Sequence, residues 1–123
     1  MVRSAVLVVL AALSLAACTK RTLPPGDLGI CYSAQTGKDG ALKYFKLSQQ
    51  KDLEHCAAAL EAMRVRFISM GGNQFEIMGA YQGSFIFVQR EGILTAPSLE
   101  AHRYVALVRS GDGRLVVPGA VAQ

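Results

Sequence analysis

The residues of this 123-residue chain best suited to chemistry are three cysteines, Cys18, Cys31 and Cys56, and two histidines, His55 and His102. Cys31, His55, Cys56 and His102 form the one constellation that resembles a soft-metal site. Zinc sites usually pair ligands two to four residues apart. His55 and Cys56 are adjacent, so on a helix they point in different directions. A cysteine hydrolase needs a thiolate, a histidine base and an orienting group. Cys56 falls on an apolar face, where burial raises a thiol pKa and opposes activation. No Gly-x-Ser-x-Gly turn is present, and Ser84 follows Gly83 inside a strand-like run. Glu54 and Glu61 share one helical side, where a solvated face accounts for them without acid–base work. Met70-Gly71-Gly72-Asn73 exposes successive N–H groups as an anion nest would. It lacks the lysine and hydroxyl of a phosphate loop and follows a helical segment, so it reads as a helix stop. These patterns predict no enzyme, no metal and no cofactor. The remaining cluster is Gly79-Ala80-Tyr81-Gln82-Gly83 with Phe85 and Phe87. Glycine-flanked aromatics of this kind can form a shallow binding surface of Tyr81, Phe85 and Phe87, and core packing beside a tight turn explains the same letters.

The elements that must position these residues follow from periodicity. Leu53, Cys56, Ala57, Leu60, Met63, Arg64 and Phe67 recur at three- and four-residue steps, which predicts an amphipathic helix over 48–70 with Ser48 as N-cap and Gly71-Gly72 as stop. Ala57, Ala58, Ala59 and Ala62 leave part of its surface thin enough for close approach to a sheet. Strands are predicted at 30–32, 41–47, 74–81, 84–88, briefly at 93–95, and at 104–108 and 114–117. Within 41–47, Leu42 and Tyr44 alternate with Lys43 and Lys46, and Phe45 is out of step. In 74–81, Phe75, Ile77 and Tyr81 share one side; 84–88 is apolar on both faces, as a central strand is. Gly37-Lys38-Asp39-Gly40, Gln82-Gly83 and Gly111-Asp112-Gly113 are turn signals, and 98–102 reads as a helical turn. The expected architecture is α+β: one amphipathic helix on an antiparallel sheet of four to six strands. One helix covers only part of a sheet face, so a loop, a second copy or a partner must cover the rest.

The amino terminus has a different design. Arg3 precedes an apolar run over 5–15, which is shorter than the roughly 20 residues of a membrane span and ends in small residues, as a secretory signal does. Leu15-Ala16-Ala17-Cys18 resembles the lipobox of bacterial lipoproteins (Leu, small, Gly or Ala, Cys) at all four positions. The same layout without the cysteine's chemistry is an ordinary secretory signal cut near Ala17. The resemblance covers residues 1–18 alone. It implies that Cys18 carries a diacylglyceryl group and becomes an acylated amino terminus, anchoring the protein to a membrane. Each buried methylene contributes about 0.8 kcal/mol, and two or more chains anchor stably. Thr19 in place of the Asp that retains enteric lipoproteins at the inner membrane implies the outer membrane, facing the periplasm. With Cys18 so assigned, Cys31 and Cys56 remain as a pair in a compartment that permits disulfides. A bridge closing this loop stabilises by about 3.5 kcal/mol in the chain-entropy model. The alternative is two buried free thiols.

The organisation expected is therefore a signal peptide over 1–17, a lipidated cysteine and flexible tether over 18–29 marked by Pro24-Pro25-Gly26, one α+β domain over 30–118 and a frayed tail over 119–123. Thirteen Lys and Arg against nine Asp and Glu give a net charge of +4, and the mean hydropathy is +0.28. The basic residues are scattered, without the one-faced cluster of a nucleic-acid binder. The expected function is a non-enzymatic, membrane-anchored binding or assembly module that contacts another envelope protein. The alternative is a module that binds a small ligand or cell-wall fragment through the aromatic strands. The sequence does not fix an oligomeric state.

Overall fold

The computed structural model describes residues 21–73 and 76–119. The signal segment with Cys18, the first part of the expected tether, Phe75 and residues 120–123 of the expected tail lie outside the described residues.

The first strand among the described residues is an interior one. In β1 (Ile30–Thr36) the consecutive residues Cys31, Tyr32, Ser33 and Ala34 are all buried, so both faces are covered. A turn follows in which Gly37 N–H donates to the Ala41 carbonyl at 2.8 Å, and β2 (Leu42–Gln49) folds back along β1. The helix α1 (Leu53–Ser69) starts later than Ser48 because Ser48 is still paired with Cys31 in β2. Asp52 caps it instead, its side chain accepting from the His55 N–H at 2.8 Å. At the other end Gly71 adopts φ +86°, its N–H donating to Ile68 O (3.1 Å) while Gly72 N–H donates to Phe67 O (2.9 Å). This is the Schellman closure that a paired glycine permits.

The remaining strands form a meander: β3 (Ile77–Tyr81), β4 (Ser84–Val88), β5 (Ile93–Ala96), β6 (Tyr104–Arg109) and β7 (Leu115–Val116). The seven strands of the described residues lie in the order β2-β1-β3-β4-β5-β6-β7, each antiparallel to its neighbours. The count exceeds the expected four to six because the two briefest runs, β5 and β7, both pair. One connection is not sequential: α1 carries the chain from β2, at the edge, to β3 on the far side of β1. The β3–β4 turn is two residues long, with φ +44° at Gln82 and +85° at Gly83, the type I′ signature that suits the twist of a hairpin. The 98–102 segment is not helical; Ala101 N–H donates to Ser98 O at 3.4 Å and the chain then bends into β6.

Alternation divides the interior into two cores. Cys31, Ile77, Tyr81, Ile86, Val88, Ile93 and Leu107 face α1 and pack on its Cys56, Ala57 and Leu60. Here Cys31 and Cys56 are joined by a disulfide, with Cα atoms 5.3 Å apart, pinning α1 to β1. The helix approaches closely because Gly79 has no side chain; a Cβ there would stand 2.6 Å from Tyr32 O and collide with Leu60. The second core, on the opposite face, holds Tyr32, Ala80, Phe85, Phe87 and Ala96.

A loop covers that second face. Leu99 and Ala101, between β5 and β6, pack on its core. Residues 22–29, expected to belong to a flexible tether, are attached to the domain by hydrogen bonds. Thr22 donates through N–H and Oγ1 to the Glu100 carboxylate at 2.9 and 2.8 Å, and its carbonyl accepts from Leu99. Pro25 O accepts from Gly83, Gly29 N–H donates to Gln82 Oε1, and Asp27 accepts from the Tyr32 hydroxyl at 2.5 Å. These local breakers keep residues 22–29 out of helix and strand, with a turn at Leu28–Gly29, and such a strap still offers its backbone groups for bonding.

Candidate functional site

Tyr81, Phe85 and Phe87 do not form one surface. Tyr81 pairs with Ser84, so the next residues, Ala80 and Phe85, face the opposite side. Tyr81 therefore belongs to the helix core, where its hydroxyl donates to Gln50 O at 2.8 Å, and Phe85 and Phe87 belong to the second core. Their exposures are 3%, 0% and 1%, so all three are structural side chains. Cys31 and Cys56 are fully buried in the disulfide. His55 and His102 stand apart from them: His55 Nδ1 is 2.5 Å from Asp52, and His102 packs edge-on against Tyr104. Among the described residues no three His, Cys, Asp or Glu side chains converge as metal ligands would, and no described helix is long and apolar enough to cross a membrane.

Glu61 is an anchor in the structure. Its Oε1 accepts from Arg64 Nε at 2.8 Å, and Nε and Nη2 of Arg109 lie 2.5 Å from its Oε2, Nη2 off the hydrogen-bonding axis. Arg109 Nη1 also donates to Arg90 O at 2.7 Å. The set ties α1 to β6 beside an open groove of about 560 Å³ lined by Glu54, His55, Ala58, Arg114 and Leu115. Asp52, the partner of His55, is held below the usual carboxylate range, first by the His55 N–H and then by the His55 ring.

The opposite flank of α1 is different. A groove of about 290 Å³ runs between the helix and β2, lined by Leu47, Ala59, Met63, Arg66, Phe67 and Met70. Phe45, opposite Ser33 in the register, stands on the same side as the Cys31 core. Leu47 lies at a register shift that gives β2 one more residue than β1. Phe45 is 50% exposed and Met70 70%, large apolar side chains left in water. Beside them β2 is the outermost strand of the sheet, paired on one side only. An edge of eight residues presents about half of its N–H and C=O groups outward, a template for another strand. The out-of-step Phe45 was the one sequence signal for this surface; Met63 and Phe67, two of the helix residues that complete it, had been assigned to the apolar stripe.

A third concavity, of about 870 Å³, opens at one end of the sheet over Gln35, Thr36, Leu42, Met78, Phe87 and Leu99. The Arg103 guanidinium lies 3.6 Å from the centre of the Phe87 ring and pairs with Glu76 at 3.2 Å. A guanidinium over an aromatic face gains cation–π attraction, and here it forms part of the wall of the concavity. Near this core Tyr44 has its phenol pKa raised by burial, and Tyr32 by the hydrogen bond it donates to Asp27.

Comparison of the chain with protein-family models, with curated proteins and with solved structures finds no match.

Proposed function

We propose that this protein is a membrane-anchored, non-enzymatic binding or assembly module of the bacterial cell envelope, held through Cys18, most favourably at the outer membrane facing the periplasm. The amino-terminal resemblance supports the anchor. The observation that carries the binding role is the long open edge of β2 beside the apolar groove of Leu47, Met63, Phe67 and Met70. Exposed apolar surface concentrated along one groove marks an interaction site more than singly scattered residues do.

The test places a photo-crosslinking side chain at Phe45 or Met70 in intact cells, with Arg114, on the far hairpin, as control. One crosslinked species of constant mass from both test positions, and none from Arg114, is the expected result. No species above background at either test position overturns the reading. For the anchor, Cys18→Ser is expected to abolish acyl labelling and release the protein from membranes.

The concavity over Phe87 favours a second reading, a module for a small ligand or cell-wall fragment. Tyr81 is unsuited to such a role, being buried. Binding to isolated peptidoglycan that is lost on Arg103→Ala, with the melting temperature unchanged, would select this reading.

A further inference from the structure

Resting on the binding role proposed above, we propose that β2 takes up an extended acidic segment of a partner protein as an eighth strand, with one apolar side chain of that segment filling the groove beside α1. Charge specifies the chemistry. From residue 42 to residue 49 the edge carries Lys43 and Lys46 and no acidic residue, and α1 from residue 62 to its end carries Arg64 and Arg66 and no acidic residue. Arg64 turns to Glu61 and does not line the groove, which leaves Arg66 at the groove wall with the two edge lysines. Opposite charges directly across a strand pair stabilise it and like charges oppose it. Lys43 stands on the α1 side of the sheet and Lys46 on the other. A strand with two carboxylates three residues apart and apolar residues between them therefore meets both lysines while its backbone completes the ladder, the main-chain mode of strand addition.

The same features disfavour the other occupants. A second copy of β2 brings two more lysines and no carboxylate to the edge, so it leaves Lys43 and Lys46 without opposite charges. A lipid surface satisfies the lysines, but the outward N–H and C=O groups of the edge find no partners in hydrocarbon. A peptide strand satisfies both.

The test uses the full chain in mild detergent and a pool of fluorescein-labelled seven-residue peptides with glutamate or aspartate at two positions three residues apart and apolar residues between them. Saturable binding in fluorescence anisotropy is expected. It should weaken about tenfold when K43E and K46E are combined. It should be lost when the central peptide amides are N-methylated, which removes strand donors and keeps the charge. Both lysines are on an exposed edge, and an unchanged melting temperature shows that the variant is folded. Binding that survives N-methylation, or that ignores the charge reversal, overturns strand addition. Binding to phosphatidylglycerol vesicles with no peptide binding overturns it in favour of a lipid surface. A concentration-dependent dimer that excludes the peptides overturns it in favour of a second copy. Crosslinks at Phe45 and Met70 in cells without peptide binding overturn this inference alone; neither crosslinks nor peptide binding overturns the binding role as well.

Discussion

The two flanks of α1 are built on opposite plans. Toward β7 the helix is tied down: Glu61 joins Arg64 on its own turn to Arg109 on β6, and the sheet ends in a two-residue strand closed by the turn around Gly113. Toward β2 the helix is held only from beneath, by the disulfide and by Leu60 on Gly79, and the sheet ends in eight residues with apolar side chains in water. Short edge strands and inward charges are how a sheet avoids unwanted pairing. One edge of this molecule has such protection. The other has only its two lysines.

The largest effect expected from breaking this contrast is at the disulfide. Cys31→Ala with Cys56→Ala removes the covalent hold on the β2 side and should lower stability by about 3.5 kcal/mol, measured by urea denaturation of oxidised wild type against the variant. Next is the opposite flank. Glu61→Ala leaves two guanidinium groups half-buried without their carboxylate, at a cost of about 2 kcal/mol, read in the same assay. A loss below about 0.5 kcal/mol would show that the β7 flank is not tied by these ions. A local effect follows at the strap. Two hydrogen bonds from Thr22, backbone first, hold the Glu100 pKa below its ordinary 4.5. A carboxylate lowered in the folded state contributes above its unfolded pKa and loses that contribution as pH falls through the folded one. Amide exchange at Leu99 and Gly83 should therefore accelerate relative to the core below about pH 4.5, where strap bonds yield, and Glu100→Gln should shift this onset. The smallest effect is the most telling for the comparison. Phe45→Ser on the open flank should change stability by no more than about 0.5 kcal/mol, because the side chain already stands half in water.

How far the sequence reached depends on the range of the interaction. The 3.6-residue period placed α1 and put Cys56 on its apolar face; Gln82-Gly83 and Gly111-Asp112-Gly113 marked real hairpins; the two-sided apolarity of β4 matched its place at the middle of the sheet. These are local or parity signals. The helix start was misplaced because Ser48 and Asp52 are both good caps, and only the pairing of Ser48 with Cys31 decides between them. Tyr81, Phe85 and Phe87 were grouped by residue type, and the turn between them puts Tyr81 on the other face. Residues 22–29 looked like spacer because their partners, Glu100 and Gln82, are far along the chain. The open flank was concealed for a related reason. Met63 and Phe67 fit a core stripe perfectly well, and nothing local says that the sheet beneath them stops at β2.

The crossover made by α1 has a kinetic consequence. Every strand contact except β1 with β3 joins sequential neighbours, so the entropy of loop closure concentrates at that one seam. Until it closes, Cys31 and Tyr81 must meet across everything between them. Once Cys31 is bonded to Cys56, the open loop runs only from residue 56 to residue 81, about half as long, which lowers the closure cost by about 0.6 kcal/mol. The β1–β2 hairpin with its helix is thus a unit that oxidation can complete before β3 arrives, and the remaining strands add to it one at a time.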